Sequence, residues 1–223
     1  MIDHTATPGV IAFFDMDYTV LDTSSGLLYV KYLRNKGQIS RRWLARAGWW
    51  SLLYKLSLID MGRVMPKMMV YARGASAEAT LADARQWFTD VLAAHLSPAA
   101  VAKIHQHQQQ GHRAVLISAS TQFAVQPVAE HLGLDFLCTR LEVQADRITG
   151  NIVTPPCYGA GKVYWARRYA AARGIDLRDC WLYTDSLSDR PLLEAVGRPV
   201  AVNPDPRLKR LAIGRGWPVE KFY

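Results

Sequence analysis

Residues 10–19, VIAFFDMDYT, decide the fold, because a short apolar run is followed there at once by two aspartates. The run at residues 10–14 has turn-forming residues on both sides, which is typical of a strand buried on both faces of a parallel sheet. Comparable runs occur at residues 114–117, 180–183 and 199–202. Helical patterns separate these runs. Strands that alternate with helices predict an α/β fold, an open parallel sheet with helices on both faces.

Capping signals predict four helices in this core. Each helix ends at a glycine, the residue that most readily takes the left-handed conformation after a helix. The first is also opened by Ser97 as N-cap and by Pro98 at the first helical position. The predicted helices run from Pro98 to Gly111, from near Pro127 to Gly133, over residues 162–173 and over residues 191–196.

Residues 24–94 break this alternation, because they contain only helical patterns, with apolar residues at helical spacing. The patterns precede Gly37 and follow Ser40, Asp60 and Ser76. They predict a helical domain, residues 24–94, inserted into a core formed by residues 1–23 and 95–223. A smaller irregularity, with strand patterns at residues 141–144 and 148–152, predicts a β-hairpin.

Composition excludes several classes of protein. The 223 residues include 27 Lys and Arg against 19 Asp and Glu, a net charge of +8. A chain of this size buries roughly 70% of its unfolded surface, so disorder is excluded as its main state. The three cysteines form no C-x-x-C pair, which argues against a disulfide framework or a zinc knuckle and favours a reduced, cytoplasmic setting. No signal peptide and no apolar run of ~18–20 residues are present, so we expect a soluble protein.

The positive charge raises the question of an anionic partner such as nucleic acid, anionic lipid or a phosphate-bearing substrate. Basic pairs at residues 41–42, 167–168 and 209–210 are scattered along the chain rather than gathered on one element. We interpret them as solvated surface and expect no binding of nucleic acid.

Polar residues follow the predicted strands in an ordered way. They are Asp15 and Asp17 after the first strand, Ser118, Ala119 and Ser120 at the end of the second, Lys162 at a helix start, and Asp185 and Asp189 after the third. Open α/β sheets bind ligands at the carboxyl ends of their strands, so these groups can converge on one crevice. Asp15 and Asp17 alone would also fit a polar strand end that caps the next helix. The ordered set favours a catalytic site.

With these motifs, the chain resembles the haloacid dehalogenase-like hydrolases, and among them the phosphoserine-phosphatase-like (SerB-like) branch. The motifs are Asp15-x-Asp17-x-Thr19, Ser118, Lys162 and Asp185-x-x-x-Asp189. That branch has a helical cap between its first and second motifs, where this chain has residues 24–94. The resemblance implies a Rossmann-like core with a helical cap and a small hairpin flap. It also implies a Mg²⁺-dependent phosphomonoesterase that forms an aspartyl-phosphate.

The resemblance also assigns roles to the residues. Asp15 is the expected nucleophile, since a carboxylate is ionised at neutral pH and needs no general base. Two unit charges about 4 Å apart repel by about 4 kcal/mol at an effective dielectric of ~20, so the attack on phosphate needs positive charge nearby. Mg²⁺ on the Asp15 carboxylate, the Asp17 carbonyl and the Asp185 carboxylate would supply it, while Lys162 and the Ser118 hydroxyl bind the remaining phosphate oxygens.

Asp17 is expected to protonate the leaving alkoxide and then to take a proton from the hydrolytic water. Thr19 and Asp189 are expected to support the site, Asp189 by orienting Lys162 or a metal-bound water. The candidate substrate-binding residues are Ser118, Ala119, Ser120, Ser24 and Arg63.

Two departures from the branch leave the substrate open. Ser24 stands where the phosphoserine enzymes have a glutamate, and the last motif has Thr184, Ser186 and Ser188 in place of two glycines and an asparagine. The expected partner is a small-molecule phosphate ester, for example an amino-alcohol phosphate such as histidinol phosphate. The alternatives are a lipid phosphate of the phosphatidylglycerophosphate type, phosphoserine, and a non-enzymatic binder of anionic surfaces. Either a monomer or a homodimer is expected.

Two other patterns fit more than one interpretation. A tryptophan and methionine group in the insertion fits a lipid-facing surface, which leaves membrane contact open, but such spacing is more typical of a bundle core. Its members are Trp43, Trp49, Trp50, Met65, Met68 and Met69. His105, His107 and His112 suggest a metal site, but residues two apart on a helix face different ways. We therefore predict a solvated helix there.

Overall fold

The computed structural model of the protein describes residues 9–37, 49 and 72–223. Six strands form one parallel sheet in the order β3-β2-β1-β6-β7-β8, which confirms the α/β fold expected from the sequence. The strands are β1 (Ile11–Phe14), β2 (Arg113–Thr121), β3 (Asp135–Thr139), β6 (Trp181–Thr184), β7 (Arg198–Val202) and β8 (Val219–Glu220). The predictions missed β3 and β8, which lie at the two edges of the sheet.

Helices cover both faces of the sheet, and no helix of the described residues is long and apolar enough to cross a bilayer. They are α1 (Ser25–Asn35), α2 (Ala77–Trp87), α3 (Pro98–Gln109), α4 (Gln122–Leu132), α5 (Ala160–Ala171), α6 (Arg190–Leu193) and α7 (Pro206–Arg215). Helix α4 begins before Pro127, not near it, so that prediction of its start was wrong. The Pro127 ring lies on the buried face of α4, and this packing outweighs the one backbone hydrogen bond that proline removes.

Strand β1 lies at the centre of the sheet and is buried on both faces. Ala12 and Phe14 point into one hydrophobic cluster, whereas Ile11 and Phe13 point into the other. This alternation follows from the period of two in a strand. The continuous apolar run therefore anchors both layers of the core and fixes the position of Asp15 directly after it.

Helices α1 and α2 pack on the first of these clusters. Trp87 of α2 is fully buried and meets Tyr29 of α1 edge-on, with ring centroids 5.1 Å apart. Lys36 and Asp83 join the same two helices in a 2.6 Å salt bridge. The helical patterns predicted after Ser40 and Asp60 lie outside the described residues, and so does Arg63. Of the tryptophan and methionine group, only Trp49 is among the described residues, and it is exposed.

The predicted hairpin is present as β4 (Leu141–Gln144) and β5 (Arg147–Ile152), which pair antiparallel. Its turn is bound to the start of α2. The Asp146 carboxylate accepts hydrogen bonds from the Ser76 hydroxyl at 2.6 Å and from the Glu78 amide at 2.9 Å. The hairpin turn is therefore bound to the start of α2 through Asp146.

His107 contradicts the prediction of a solvated helix. It is buried on α3, where its Nε2 lies 2.9 Å from the Tyr183 hydroxyl and its Nδ1 lies 2.8 Å from Nδ1 of His112. Ala100, Ile104 and His107 form the buried stripe of this helix, at the spacing of one helical face. His105 is exposed, so the three histidines do not converge.

Candidate active site

Lys162 joins two of the sequence-predicted aspartates at the carboxyl edge of the sheet. Its ammonium lies 2.9 Å from Asp15 Oδ1, after β1, and 2.7 Å from Asp189 Oδ2, after β6. Lys162 is 2% exposed and Asp189 1%. A buried lysine keeps its charge only when carboxylates compensate for the lost water. These three side chains therefore form one charged unit.

Gly161 allows Lys162 to reach this position. A Cβ atom at residue 161 would lie 1.8 Å from the carbonyl oxygen of Pro156, so only glycine fits this close backbone approach. The sequence Gly159-Ala160-Gly161 before Lys162 therefore has a steric function at the start of α5.

Asp17 is bound at the first turn of α1. Its Oδ1 accepts a hydrogen bond of 3.0 Å from the backbone amide of Ser25. The candidate Ser24 is the N-cap residue of the same helix and accepts a bond from the Leu27 amide. Helix α1 thus holds the carboxylate that is expected from the resemblance to act as acid and base.

Ser118, Ala119 and Ser120 lie together at the end of β2, as predicted from their sequence position. The Ser120 amide donates to the Ser118 hydroxyl at 3.1 Å, and the Ser120 hydroxyl lies 3.1 Å from that of Ser25. This chain of contacts connects the second motif to α1.

The residues after β6 are held by hydroxyl groups. Thr184 donates to Asp189 Oδ2 at 2.7 Å, and Ser186 Oγ lies 2.9 Å from Ser188 Oγ. The three residues that depart from the branch therefore form part of the local hydrogen-bond network around Asp189.

Asp205, after β7, supports the loop that carries Asp185. Its amide donates to the Asp185 carbonyl at 3.0 Å, and its carboxylate accepts from the Leu187 amide at 3.0 Å. Sequence reasoning missed Asp205 and Ser25. Asp205 could have been found from its position just after a predicted strand. The signal for Ser25 was weaker, a serine at the start of a helix soon after Asp15 and Asp17.

Thr19 is fully buried, and its hydroxyl has no hydrogen-bond partner among the described residues. It lies in the irregular turn Met16–Val20, where Tyr18 takes a positive φ of 55°. A non-glycine residue in this conformation is uncommon and is found more often at functional sites than elsewhere.

Burial shapes the charge states of the aspartates. It raises the pKa of Asp15 to about 7, with Lys162 opposing the shift and the charge of Asp189 adding to it. Burial also raises the pKa of Asp17, while the bonds from Ser25 oppose this. The pKa of Asp185 is raised to about 8 by burial and then by the charges of Asp15 and Asp189. For Lys162, burial lowers the pKa, but the two aspartates outweigh it and the net shift is upward.

Burial is the largest cause of the upward pKa shifts of Asp15 and Asp185, and neighbouring negative charge adds to it. The site contains four aspartates, Asp15, Asp17, Asp185 and Asp189, and among the described residues Asp15 and Asp189 contact the ammonium of Lys162. The Asp185 carboxylate accepts no hydrogen bond from another described residue. A hard divalent cation fits such a donor set, since Mg²⁺ commonly binds one or two carboxylates and keeps several waters.

No group of three or more His, Cys, Asp or Glu side chains arranged to hold a metal ion occurs among residues 9–37, 49 and 72–223. The Mg²⁺ ligand set expected from the sequence does not require three such side chains. It consists of two carboxylates, from Asp15 and Asp185, and the backbone carbonyl of Asp17. The residues present are therefore compatible with Mg²⁺.

Comparison with known proteins identifies the family. A model of the haloacid dehalogenase-like hydrolases matches residues 12–194, a span that holds every motif described above. The chain belongs to this family. Haloacid dehalogenase-like phosphatases generally use Mg²⁺ and act on small-molecule phosphate esters.

Three relatives of this hydrolase are informative. It is 33% identical to the Inhibition of morphological differentiation protein of Streptomyces azureus, over 100% of this chain and 82% of that protein. It is 30% identical to a histidinol-phosphatase of Neisseria meningitidis, over 95% and 98% of the two chains. It is also 30% identical to the phosphoserine phosphatase SerB1 of Mycobacterium tuberculosis, over 99% of this chain and 72% of that protein.

A solved structure has the same fold along nearly the whole length. A Bordetella pertussis protein of unknown function superposes with a TM-score of 0.88 at 30% identity, covering 97% of this chain and 100% of that one. The family match and the relatives named as phosphatases show that the hydrolase is an enzyme of the phosphatase class, in the SerB-like branch, which confirms the expectation from the motifs.

Proposed function

We propose that this hydrolase is a Mg²⁺-dependent phosphomonoesterase that forms an aspartyl-phosphate on Asp15. The observation that carries the proposal is the buried ammonium of Lys162, 2.9 Å from Asp15 and 2.7 Å from Asp189. An ammonium fixed beside the nucleophile offsets the negative charge of an incoming phosphate where the reaction occurs.

The first half-reaction transfers the phosphoryl group to Asp15. Because Oδ1 accepts the bond from Lys162, the second carboxylate oxygen attacks phosphorus while the bond to the leaving alcohol oxygen breaks. Asp17 gives its proton to that oxygen. The raised pKa of Asp17 suits a general acid, which must carry a proton near neutral pH.

The second half-reaction hydrolyses the aspartyl-phosphate. Asp17, now a carboxylate, takes a proton from a water molecule as the water oxygen attacks phosphorus. The P–O bond to Asp15 breaks and releases inorganic phosphate. The Ser25 amide, 3.0 Å from Asp17 Oδ1, keeps the carboxylate oriented through both steps.

We assign Mg²⁺ to the Asp15 carboxylate, the Asp17 carbonyl and the Asp185 carboxylate. When bound, the ion supplies the positive charge that keeps Asp15 ionised and screens the phosphate. Ser118 is the proposed donor to a phosphate oxygen, with Ala119 and Ser120 beside it, and Thr19 and Asp189 support the site.

The proposed substrate is a small amino-alcohol phosphate such as histidinol phosphate. Support comes from the Neisseria relative, which matches this chain over nearly its full length. It also comes from Ser24, which replaces the glutamate of the phosphoserine enzymes and so sets this chain apart from them. Phosphoserine is the second candidate, because the Mycobacterium relative carries that activity in its name.

We further propose that residues 24–94 form the cap over a core of residues 1–23 and 95–223. Its Arg63 is a candidate substrate contact. Three unpaired, buried cysteines, Cys138, Cys157 and Cys180, are compatible with a reducing, cytoplasmic compartment.

Phosphate release from a panel of esters tests the proposal. The panel contains p-nitrophenyl phosphate, histidinol phosphate, phosphoserine and phosphatidylglycerophosphate in vesicles, each with Mg²⁺ or with EDTA. We expect Mg²⁺-dependent turnover, with the highest kcat/KM for histidinol phosphate. Asp15→Asn should be inactive, whereas Asp22→Asn, an exposed aspartate outside the motifs, should keep wild-type rates. An active Asp15→Asn enzyme would refute the mechanism, and highest kcat/KM for another ester would refute only the substrate.

A further inference from the structure

Tyr223 contacts the irregular turn Met16–Val20, although it lies outside every motif. Its hydroxyl donates a hydrogen bond of 3.1 Å to the backbone carbonyl of Tyr18, 205 positions away in the sequence. Tyr18 directly follows Asp17. The contact therefore joins a residue with no assigned role to the turn that carries the proposed acid–base group.

Tyr18 has a backbone conformation that costs free energy for a residue with a side chain. Its φ of 55° and ψ of 12° lie in the left-handed region, where Cβ crowds the backbone. Without restraint, an L-residue favours the right-handed or the extended region. A change to either would rotate the peptide group between Asp17 and Tyr18, and with it the Asp17 carbonyl. The turn therefore needs contacts that hold Tyr18 in place.

Two hydrogen bonds hold the peptide groups on either side of Tyr18. The Tyr18 amide belongs to the first group and donates to the Thr23 carbonyl at 3.1 Å. The Tyr18 carbonyl belongs to the second group and accepts from the Tyr223 hydroxyl. Peptide groups are planar, so φ and ψ are the only soft rotations between them. The Tyr223 hydroxyl thus supplies one of two restraints on this conformation.

The neighbouring residue, Phe222, anchors Tyr223 to the core. Phe222 is 5% exposed, and its ring stacks on that of Tyr183 with centroids 6.1 Å apart. Its amide donates to Asn203 Oδ1 at 3.1 Å. These contacts determine where the Tyr223 hydroxyl can lie.

Ser97 connects this anchor to the turn itself. Its hydroxyl donates to the Phe222 carbonyl at 2.7 Å, and its amide donates to the carbonyl of Val20, the last residue of the turn, at 2.9 Å. Ser97 is buried, so both bonds are shielded from water. A hydrogen bond between two parts that are already held together loses little conformational entropy when it forms. The bond from Tyr223 to Tyr18 is of this kind.

We propose that Tyr223 is a positioning residue for Asp17. Its hydroxyl holds Tyr18 in the left-handed conformation and so keeps Asp17 aligned with the leaving alcohol. The Ser25 amide orients the Asp17 carboxylate from α1, at 3.0 Å, while Tyr223 holds the backbone that follows it. The inference rests on the proposed function, since it requires Asp17 to protonate the leaving oxygen.

The leaving group distinguishes a positioning role from a purely structural one. An alkyl phosphate releases a strongly basic alkoxide, which needs a proton from Asp17 as the P–O bond breaks. p-Nitrophenyl phosphate releases a weakly basic phenolate, which leaves without one. The ratio kcat/KM reports the loss of stabilisation up to transfer of the phosphoryl group to Asp15. A misaligned Asp17 should therefore lower kcat/KM much more for an alkyl ester than for the aryl ester.

Tyr223→Phe tests the proposal, because it removes the hydroxyl and keeps the half-exposed ring. The matched control is Tyr164→Phe, which removes an exposed hydroxyl that accepts a 3.0 Å hydrogen bond from Arg168. Steady-state kinetics with Mg²⁺ compare p-nitrophenyl phosphate with the alkyl ester of the panel that the wild type hydrolyses best. Thermal unfolding checks that both variants fold.

We expect kcat/KM of Tyr223→Phe to fall about tenfold for the alkyl ester, the effect of one ordinary hydrogen bond, and less than threefold for p-nitrophenyl phosphate. Tyr164→Phe should stay within twofold of the wild type for both. Equal losses for the two esters in Tyr223→Phe, or no loss, would overturn the positioning role and leave the proposed function intact. A wild-type protein that hydrolyses no ester of the panel would overturn both.

Tyr18→Gly provides an independent check, since glycine takes the left-handed conformation without steric cost. In this background the Tyr223 hydroxyl has less strain to hold. Adding Tyr223→Phe should then lower kcat/KM for the alkyl ester less than threefold. A tenfold loss in this background as well would show that Tyr223 does not act through the conformation of Tyr18, which would overturn the proposal.

Discussion

Asp189 is held from two sides, by the ammonium of Lys162 and by the hydroxyl of Thr184, both at 2.7 Å. The same carboxylate oxygen accepts both bonds, so the direction of Asp189 determines where Lys162 sits relative to Asp15. Thr184 is therefore a positioning residue, which acts on the reaction through Asp189 and Lys162.

Thr184→Val should reduce kcat about tenfold, because it removes a hydrogen bond to a charged group while keeping the shape of the side chain. Thr184→Ser keeps the hydroxyl and should stay within about threefold of wild type. Steady-state kinetics on p-nitrophenyl phosphate measure both. If the valine and serine variants lose activity equally, the hydroxyl is not what matters at this position.

At the scale of elements, the start of α5 determines whether Lys162 can be placed at all. Gly161→Ala would put a Cβ 1.8 Å from the Pro156 carbonyl oxygen, so the backbone must shift. We expect a loss of about 1–3 kcal/mol or more in the free energy of unfolding, together with loss of turnover.

Gly214→Ala is the matched control for this prediction. Nothing lies within 4 Å of a Cβ at Gly214, and the residue is in helix α7. The substitution should therefore stabilise the protein, by up to about 1 kcal/mol. Urea denaturation of both variants provides the comparison. A Gly161→Ala protein as stable as wild type would contradict the steric argument.

His107 makes helix α3 sensitive to acid. Burial, followed by the charges of His112 and Lys103, lowers the pKa of His107 to about 4. A pKa below the unfolded value of about 6.5 means that the folded state resists protonation. This contribution to stability is present above pH 6.5 and is lost as the pH falls toward 4.

His107→Gln should make stability depend less on pH between about 6.5 and 4. Glutamine can still form a hydrogen bond with the Tyr183 hydroxyl, but its side chain does not titrate. Thermal unfolding between pH 4 and pH 7 measures the difference between variant and wild type. His105→Gln, at an exposed position on the same helix, should leave the profile unchanged. A His107→Gln profile that parallels the wild type would show that His107 does not titrate in this range.

The sequence predicted the elements whose apolar pattern is continuous and missed those that depend on their surroundings. β1 and β6 are recognisable because both of their faces are buried. The site residues follow directly after the carboxyl ends of these two strands. β3 is only partly buried at the sheet edge and lacks that pattern. The start of α4 was misplaced because proline is common in the first turn of a helix, so Pro127 was taken as a start signal. In the structure the Pro127 ring packs on the buried face inside the helix.

At the scale of the whole molecule, the catalytic pocket carries a charge excess that the chain alone does not neutralise. The position of Arg190 and Arg210 around one surface depression could not be predicted, because the two residues lie on different helices. The aspartates, in contrast, were predictable as a set, since all follow strands of one parallel sheet.

The pH dependence of stability should reveal this excess. Burial raises the pKa of Asp15 to about 7 and that of Asp185 to about 8, above the value of about 3.8 expected when unfolded. The folded state then binds more protons than the unfolded state, so their contribution to stability is lost as the pH rises from about 4 to 8. Bound Mg²⁺ should oppose this loss, because it favours the ionised carboxylates.

Differential scanning fluorimetry with and without Mg²⁺ checks this prediction. The increase in Tm on adding Mg²⁺ should be larger at pH 8 than at pH 5, and Asp185→Asn should abolish it. Asp22→Asn should respond as the wild type does. An equal Mg²⁺ response in Asp185→Asn would remove Asp185 from the ligand set.

The central claim is that Asp15 carries the phosphoryl group during turnover. The most direct measurement is to quench the enzyme with acid during steady-state turnover of p-nitrophenyl phosphate and to analyse its peptides by mass spectrometry. We predict that the peptide with Asp15 gains the mass of one phosphoryl group and that fragmentation assigns it to Asp15. No such adduct should form in EDTA or in Asp15→Asn. A phosphoryl group on another residue, or turnover by an Asp15→Asn enzyme, would contradict the account.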